Sequence, residues 1–215
     1  MIASTTVAQP SPLLERAAVE ARYNNVDGLY AETRDMRLFG FILFLLADCV
    51  LFSSFTFAYL FLRTAAPEWP PVVDGHQIPR LDVAFGAMNS IVLFGSGVTM
   101  HFALESWKQL KRGAFNVWII ATILLGIGFL LGQYHEYTSA PMTWTGSSFG
   151  ASYFTLTGLH GFHVFAGVCY LTVLAIQANK GVYTGSKYFG LTAGTLYWHF
   201  VDVIWVLLFF MFYLW

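Results

Sequence analysis

Five long apolar stretches, each interrupted by few polar residues, dominate the pattern of this 215-residue chain. They run over about 38–62, 83–104, 115–134, 150–178 and 189–215. About 20 helical residues cross a hydrocarbon core of ~30 Å. Backbone groups in lipid must find their hydrogen bonds within their own segment, so each stretch predicts a transmembrane helix. Trp107, Trp118, Trp144 and Tyr188 stand near the predicted rims, where amphipathic rings favour the headgroup level. The fold class that follows is an all-α membrane protein, a five-transmembrane-helix bundle. The predicted organisation is one transmembrane domain over 38–215 behind a tail at 1–37.

Composition and charge add an orientation. The chain is 57% hydrophobic and 11% charged, against about 25% charged in an ordinary soluble domain. A formal net charge of −1 and the lack of a basic face argue against nucleic acid as a partner. Arg16, Arg22, Arg34 and Arg37 precede the first span, Lys108, Lys111 and Arg112 follow the second, and Lys180 and Lys187 follow the fourth. Only Arg63 and Arg80 fall on the opposite side. Basic residues accumulate on the cytoplasmic side, so the N-terminus is expected inside and the C-terminus outside.

Pro10, Pro12, acids and arginines fill the first 37 residues without a signal-peptide apolar core, which predicts a tail part mobile and part surface helix. Trp69-Pro70-Pro71 and Pro79 disfavour helix in the loop at 64–82, which reads as an ordered, extended connector. Cys49 and Cys169 read as small buried hydrophobes without disulfide or metal chemistry.

The exceptions to the apolar pattern carry the candidate chemistry. At ~1.5 Å per helical residue, Asp48 lies about 16 Å beyond Arg37, His160 about 15 Å past Gly150 and His199 about 15 Å past Phe189. All three fall near the membrane midplane, where an acid costs roughly 2.5–3.5 kcal/mol unless protein shields it. His160 and His163 are i,i+3 neighbours, as are His199 and Asp202, so each pair projects from one helix face. Asp48, His160, His163, His199 and Asp202 are therefore expected to share a buried polar layer. Its role is open between an interhelical lock and proton handling.

Gly158, Gly161 and Gly167 keep the fourth helix slim for a close neighbour. Glu136, near the outer end of the third span, reads as an ordinary solvated acid, and His101 and Glu105 at the inner end of the second read the same way. Di-iron bundles use Glu-x-x-His, and that motif does not occur. Paired axial histidines for haem between the fourth and fifth helices remain an alternative, in which the chain would be a stand-alone haem-binding membrane cytochrome or transporter. A purely structural scaffold is a third reading.

Several longer motifs resemble one family, subunit III of haem-copper respiratory oxidases. They are Ala47-Asp48-Cys49-Val50-Leu51-Phe52, Glu68-Trp69-Pro70-Pro71, Gly132-Gln133-Tyr134-His135-Glu136-Tyr137, Thr157-Gly158-Leu159-His160-Gly161-Phe162-His163-Val164, and Tyr197-Trp198-His199-Phe200-Val201-Asp202-Val203-Ile204-Trp205. The resemblance extends from the first helix to the C-terminus. It adds Gln133, Glu136, Tyr137, Trp198 and Trp205 as secondary motif positions.

The resemblance implies a non-catalytic subunit of a proton-pumping oxidase in a bacterial cytoplasmic membrane. Such a subunit packs on subunit I, binds phospholipid and sustains proton uptake and turnover, with haem and copper in partner subunits I and II and no cofactor of its own. Asp48 matches a position where many members carry a buried glutamate, and His160 matches a histidine that can lie near it. Two departures stand out: longer members have seven helices, and this chain lacks the first two; and Asp48 replaces the glutamate. Asp-Cys resembles the quinol-oxidase branch, whereas Trp-Pro-Pro is similar to cytochrome c oxidases, the branch favoured here.

Overall fold

The computed structural model describes residues 12–73, 76–77, 81–183 and 188–214, with side chains for 35–71, 81–183 and 188–214. Expectations resting on Pro10, Pro79, Arg80 and Lys187, and on the side chains of Arg16, Arg22 and Arg34, lie outside these residues. Two compact units divide the chain, 1–43 and 44–215.

In the first unit the described residues are helical from Pro12, the start of α1 (Pro12–Ala65). Proline suits a helix start, because the N–H it lacks would have no partner there. Helix thus begins well before the apolar run. The second unit contains the rest of α1, then α2 (Val83–Lys108), α3 (Arg112–Ser139), α4 (Ser148–Asn179) and α5 (Phe189–Phe209). A π-helical turn, Phe210–Leu214, ends it. Among the described residues, five helical segments are long and apolar enough to cross a membrane: Asp35–Ala65, Val83–Lys108, Arg112–Ser139, Ser148–Asn179 and Phe189–Leu214.

The helix ends have local causes. Asp82 caps α2, its Oδ1 accepting from the backbone N–H of Ala84 (2.9 Å) and Phe85 (3.2 Å). Ser147 caps α4 by accepting from Gly150 N–H (2.9 Å). Such side chains satisfy donors that the first helical turn leaves free. Gly181 takes φ 76° just past α4, and bonds from Gly181 N to Ala178 O and from Val182 N to Gln177 O close that end. Glycine reaches this left-handed conformation without a Cβ clash. Next to it Tyr183, outside the spans, donates to Gln177 Oε1 (2.5 Å), and burial pushes its phenol above the ordinary tyrosine value.

The excursion between α1 and α2 includes a short antiparallel ladder, β1 (Val72–Val73) against β2 (His76–Gln77). Trp69 anchors its start by packing edge-on against Tyr59 and Phe149, with ring centroids 5.5 and 5.6 Å apart. Its indole also donates to Tyr59 Oη (3.3 Å).

Helices α2, α3, α4 and α5 form a closed ring of neighbours, α2 meeting both α3 and α5. Trp198 and Trp205 of α5 fill its centre and are fully buried. Gly126 and Gly167 make room, since a Cβ at either would lie 2.8 Å from the Trp198 ring. Each indole N–H has a serine acceptor on α2: Trp198 bonds Ser96 Oγ (2.9 Å) and Trp205 bonds Ser90 Oγ (2.8 Å). The two bonds form rungs between antiparallel helices. Large apolar side chains such as Val117, Leu124, Ile91 and Phe61 face outward. Cys169 also faces outward, and Cys49 is only half-buried, so the expectation of buried cysteines fails for Cys169. α4 turns that residue away from the ring.

Candidate functional site

The five polar residues expected near the midplane fall into three groups rather than one layer. In the first, Asp48 Oδ1 of α1 lies 3.8 Å from His163 Nε2 of α4, with both side chains largely buried. Phe52, one helical turn along α1, packs its ring 5.1 Å from that of His163. The other imidazole nitrogen, Nδ1, is 2.8 Å from Leu159 O. A carbonyl can only accept, so Nδ1 carries a proton and Nε2 is the nitrogen that faces Asp48. Asp48 Oδ2 is buried without a hydrogen-bond partner among the described residues.

His160 forms the second group and does not join Asp48. It is fully buried, stacked 5.1 Å from the Trp205 ring and edge-on to Phe129 at 5.7 Å. Neither ring nitrogen has a hydrogen bond among the described residues. The resemblance pointed to His160 as the neighbour of Asp48, but the geometry gives that place to His163. One-turn neighbours at i and i+3 sit about 60° apart around the helix, and here His163 is the one that faces α1.

The third group lies on the other side of α5. His199 Nδ1 is 3.5 Å from Asp202 Oδ2, with side-chain exposures of 43% and 13%. His199 is thus half-exposed, contrary to a fully buried layer. Both line a groove with Gly97 and His101 of α2. A Cβ on Gly97 would collide with Asp202 Oδ2, so the missing side chain lets the acid lie against the α2 backbone. A haem shared by His160 and His199 finds no support in this arrangement, because the former is enclosed by Trp205 and Phe129 while the latter lines the α2–α5 groove. Among the described residues no group of three or more His, Cys, Asp or Glu side chains could hold a metal ion.

A further polar cluster at the C-terminal end of α3 corrects the reading of Glu136 as solvated: it is 7% exposed. Tyr213, carried by the π-helical turn, donates to Glu136 Oε1 (2.6 Å), and its own oxygen lies 3.5 Å from Tyr153 Oη. Gln133 Nε2 donates to Tyr153 Oη (3.3 Å), and Tyr137 Oη pairs with Thr157 Oγ1 (2.7 Å). Glu136 Oε2 and Gln133 Oε1 remain buried without partners among the described residues. Beside the cluster Tyr59 donates to Met211 O (3.0 Å). Tyr59, Tyr153, Tyr213, Ser90 and Ser96 escaped sequence reasoning, since tyrosine and serine are unremarkable within apolar spans. A signal did exist in the heptad spacing of Trp198 and Trp205, which demands two acceptors on a neighbouring helix.

Residues 18–215 match the family described as cytochrome c oxidase subunit III. The chain belongs to that family. It is 38% identical over 181 residues to the cytochrome c oxidase subunit 3 of Synechocystis sp., covering 84% of this chain and 76% of the relative. The Drosophila melanogaster protein of the same name is 35% identical over 196 residues, covering 86% and 71%. The Triticum aestivum protein is 35% identical over 208 residues, covering 90% and 74%. Subunit III membership and five apolar helices make this a multi-pass integral membrane protein that assembles with other oxidase subunits. The three polar groups and the tyrosine cluster therefore belong to a subunit III bundle.

Proposed function

We propose that this chain is the non-catalytic subunit III of a proton-pumping terminal oxidase in a bacterial cytoplasmic membrane. In this reading it packs on subunit I, holds phospholipid and sustains proton uptake, while haem and copper in subunits I and II reduce O₂ to water. The observation that carries the reading is the family match over 18–215. The name shared by the relatives, cytochrome c oxidase subunit 3, favours cytochrome c over quinol as electron donor. The basic-residue distribution supports a cytoplasmic N-terminus and an outer C-terminus.

Within that role, Asp48 and His163 act as a single unit. With one titratable proton between the two side chains the pair is neutral overall, either as acid and imidazole or as carboxylate and imidazolium. Low-dielectric surroundings disfavour a lone charge far more than such a pair. The unit fastens α1 to α4, and a proton passing from one partner to the other leaves no lone charge in lipid. Supporting this are the 3.8 Å separation and the Nδ1 bond that reserves Nε2 for Asp48.

Purification in mild detergent tests the subunit assignment. The chain is expected to arrive with two larger polypeptides carrying haem and copper; a Soret band at stoichiometric haem on the isolated chain would overturn it. Asp48→Asn in the intact complex tests the proton-linked part. Faster loss of activity during turnover is expected, and an unchanged rate and lifetime would leave Asp48 with a fastening role alone.

A further inference from the structure

Four side chains at the C-terminal end of α3 come within one bond of closing a ring. Gln133 Nε2 donates to Tyr153 Oη (3.3 Å). Tyr213 donates to Glu136 Oε1 (2.6 Å), which commits its single hydrogen. Tyr153 must therefore be the donor in the 3.5 Å contact between the two phenol oxygens. The order runs from Gln133 to Tyr153 to Tyr213 to Glu136, each group donating to the next. Two acceptors are left over, Glu136 Oε2 and Gln133 Oε1. They belong to residues one helical turn apart on α3, and both are sealed from water without a partner among the described residues.

Because both oxygens are sealed, a water molecule or a side chain from another protein cannot reach them, and the missing donor has to come from within the ring. Turning the Gln133 amide over would offer its N–H to Glu136, but would leave a carboxylate, and so a full charge, inside the bundle. The titratable groups around Glu136 are Tyr213 from the π-helical turn, Tyr153 from α4, Asp82 at the start of α2, and Tyr137 and His135 on its own helix. None is a lysine or arginine, Asp82 is a second acid, and His135 is exposed. A buried charge with no ion-pair partner is costly. A carboxylic acid instead has one O–H donor and one carbonyl acceptor, the two roles that the ring leaves open.

We propose that Glu136 is a proton-binding site: it holds a proton on Oε2 at neutral pH and donates it to Gln133 Oε1, closing a hydrogen-bonded ring that ties α3 to α4 and to the π-helical turn. The ring goes beyond the oxidase reading and requires only the folded bundle. In a closed ring each bond polarises the next, so the proton strengthens the whole circuit. Gly86 belongs to the same design, because a Cβ there would collide with the Tyr213 ring and push its hydroxyl off Glu136.

Infrared spectroscopy of the purified complex in lipid at neutral pH reads the proton directly. Labelling glutamate carboxyls with ¹³C separates Glu136 from Asp48 and other aspartates. Subtracting the spectrum of Glu136→Gln, whose amide can fill both roles of the acid, is expected to leave one carboxylic C=O band that shifts in D₂O. A difference containing only carboxylate bands would mean a charged Glu136 with the Gln133 amide turned over, and would overturn the proposal. Gln133→Leu should move the band to higher frequency, since the acid loses its acceptor; a band that stays in place would overturn the ring. Melting temperature supplies a second arm that needs no band assignment. Glu136→Gln should melt with the unaltered chain, and Glu136→Leu, which fills neither role, should melt earlier. A Glu136→Gln chain that melts as early as Glu136→Leu, or fails to assemble, would show that a neutral group does not fit the site and would also overturn the proposal.

Discussion

Removing the acceptor from one indole rung should cost more than its single hydrogen bond suggests. Ser90→Ala leaves Trp205 Nε1–H, bonded at 2.8 Å, inside a fully buried side chain that water cannot reach. A buried donor left unpaired costs about 1–3 kcal/mol. Interhelical bonds in bilayers average about 0.6 and reach about 1.7 kcal/mol, because the reference state finds other partners. The short distance and full enclosure place this rung in the upper half, so about 1–1.7 kcal/mol is expected for Ser90→Ala. Trp205→Phe loses the same bond and also leaves a void beside His160 and Phe129, giving a larger loss. A double-mutant cycle isolates the bond: with both changes made, the shared loss counts once, and the coupling should be about 1 kcal/mol. Helix content in mixed micelles, followed by circular dichroism during titration with a denaturing detergent, provides the four stabilities. Losses that add to within about 0.3–0.5 kcal/mol would mean the two side chains are uncoupled and would refute the rung.

Three other changes probe separate parts of the bundle. Gly167→Val places a Cβ 2.8 Å from the Trp198 ring and should destabilise by about 1–3 kcal/mol through overpacking, read as a lower melting temperature of the complex-bound chain. Tyr213→Phe strips buried Glu136 of its donor and should cost about 1–3 kcal/mol; a melting temperature matching the unaltered protein would argue against the tyrosine cluster as a stabilising network. Asp82→Ala removes the cap of α2, with a loss of about 0.5–2 kcal/mol expected as faster amide exchange at Ala84 and Phe85.

The spans were legible because each needs only a long apolar run, a property local to the sequence. Partners were less so. Asp48 and His163 lie 115 residues apart, and the spacing of His160 and His163 shows that both project from α4 without showing which one meets α1. Glu136 looked solvated because it sits near the end of its span, yet Tyr213, 77 residues on, covers it once the chain closes with a π-helical turn. His199 and Asp202 were recognisable as costly in lipid, but their separation from Asp48 depends on the direction in which α5 turns each side. The serine acceptors were invisible for the same reason: a serine in a span is satisfied by its own helix, as Ser90 is by Gly86 O (2.7 Å), until a tryptophan arrives from elsewhere.

The paired Trp–Ser rungs have a mechanical consequence. A single contact between two antiparallel rods is a pivot, about which one rod can rock. Two contacts spaced seven residues apart, about 10 Å along α5, remove that freedom, and sliding by one turn would break both together. Within the ring, α2 and α5 therefore behave as a stiff plate rather than two levers. Motion imposed on one edge should be delivered to the other undiminished.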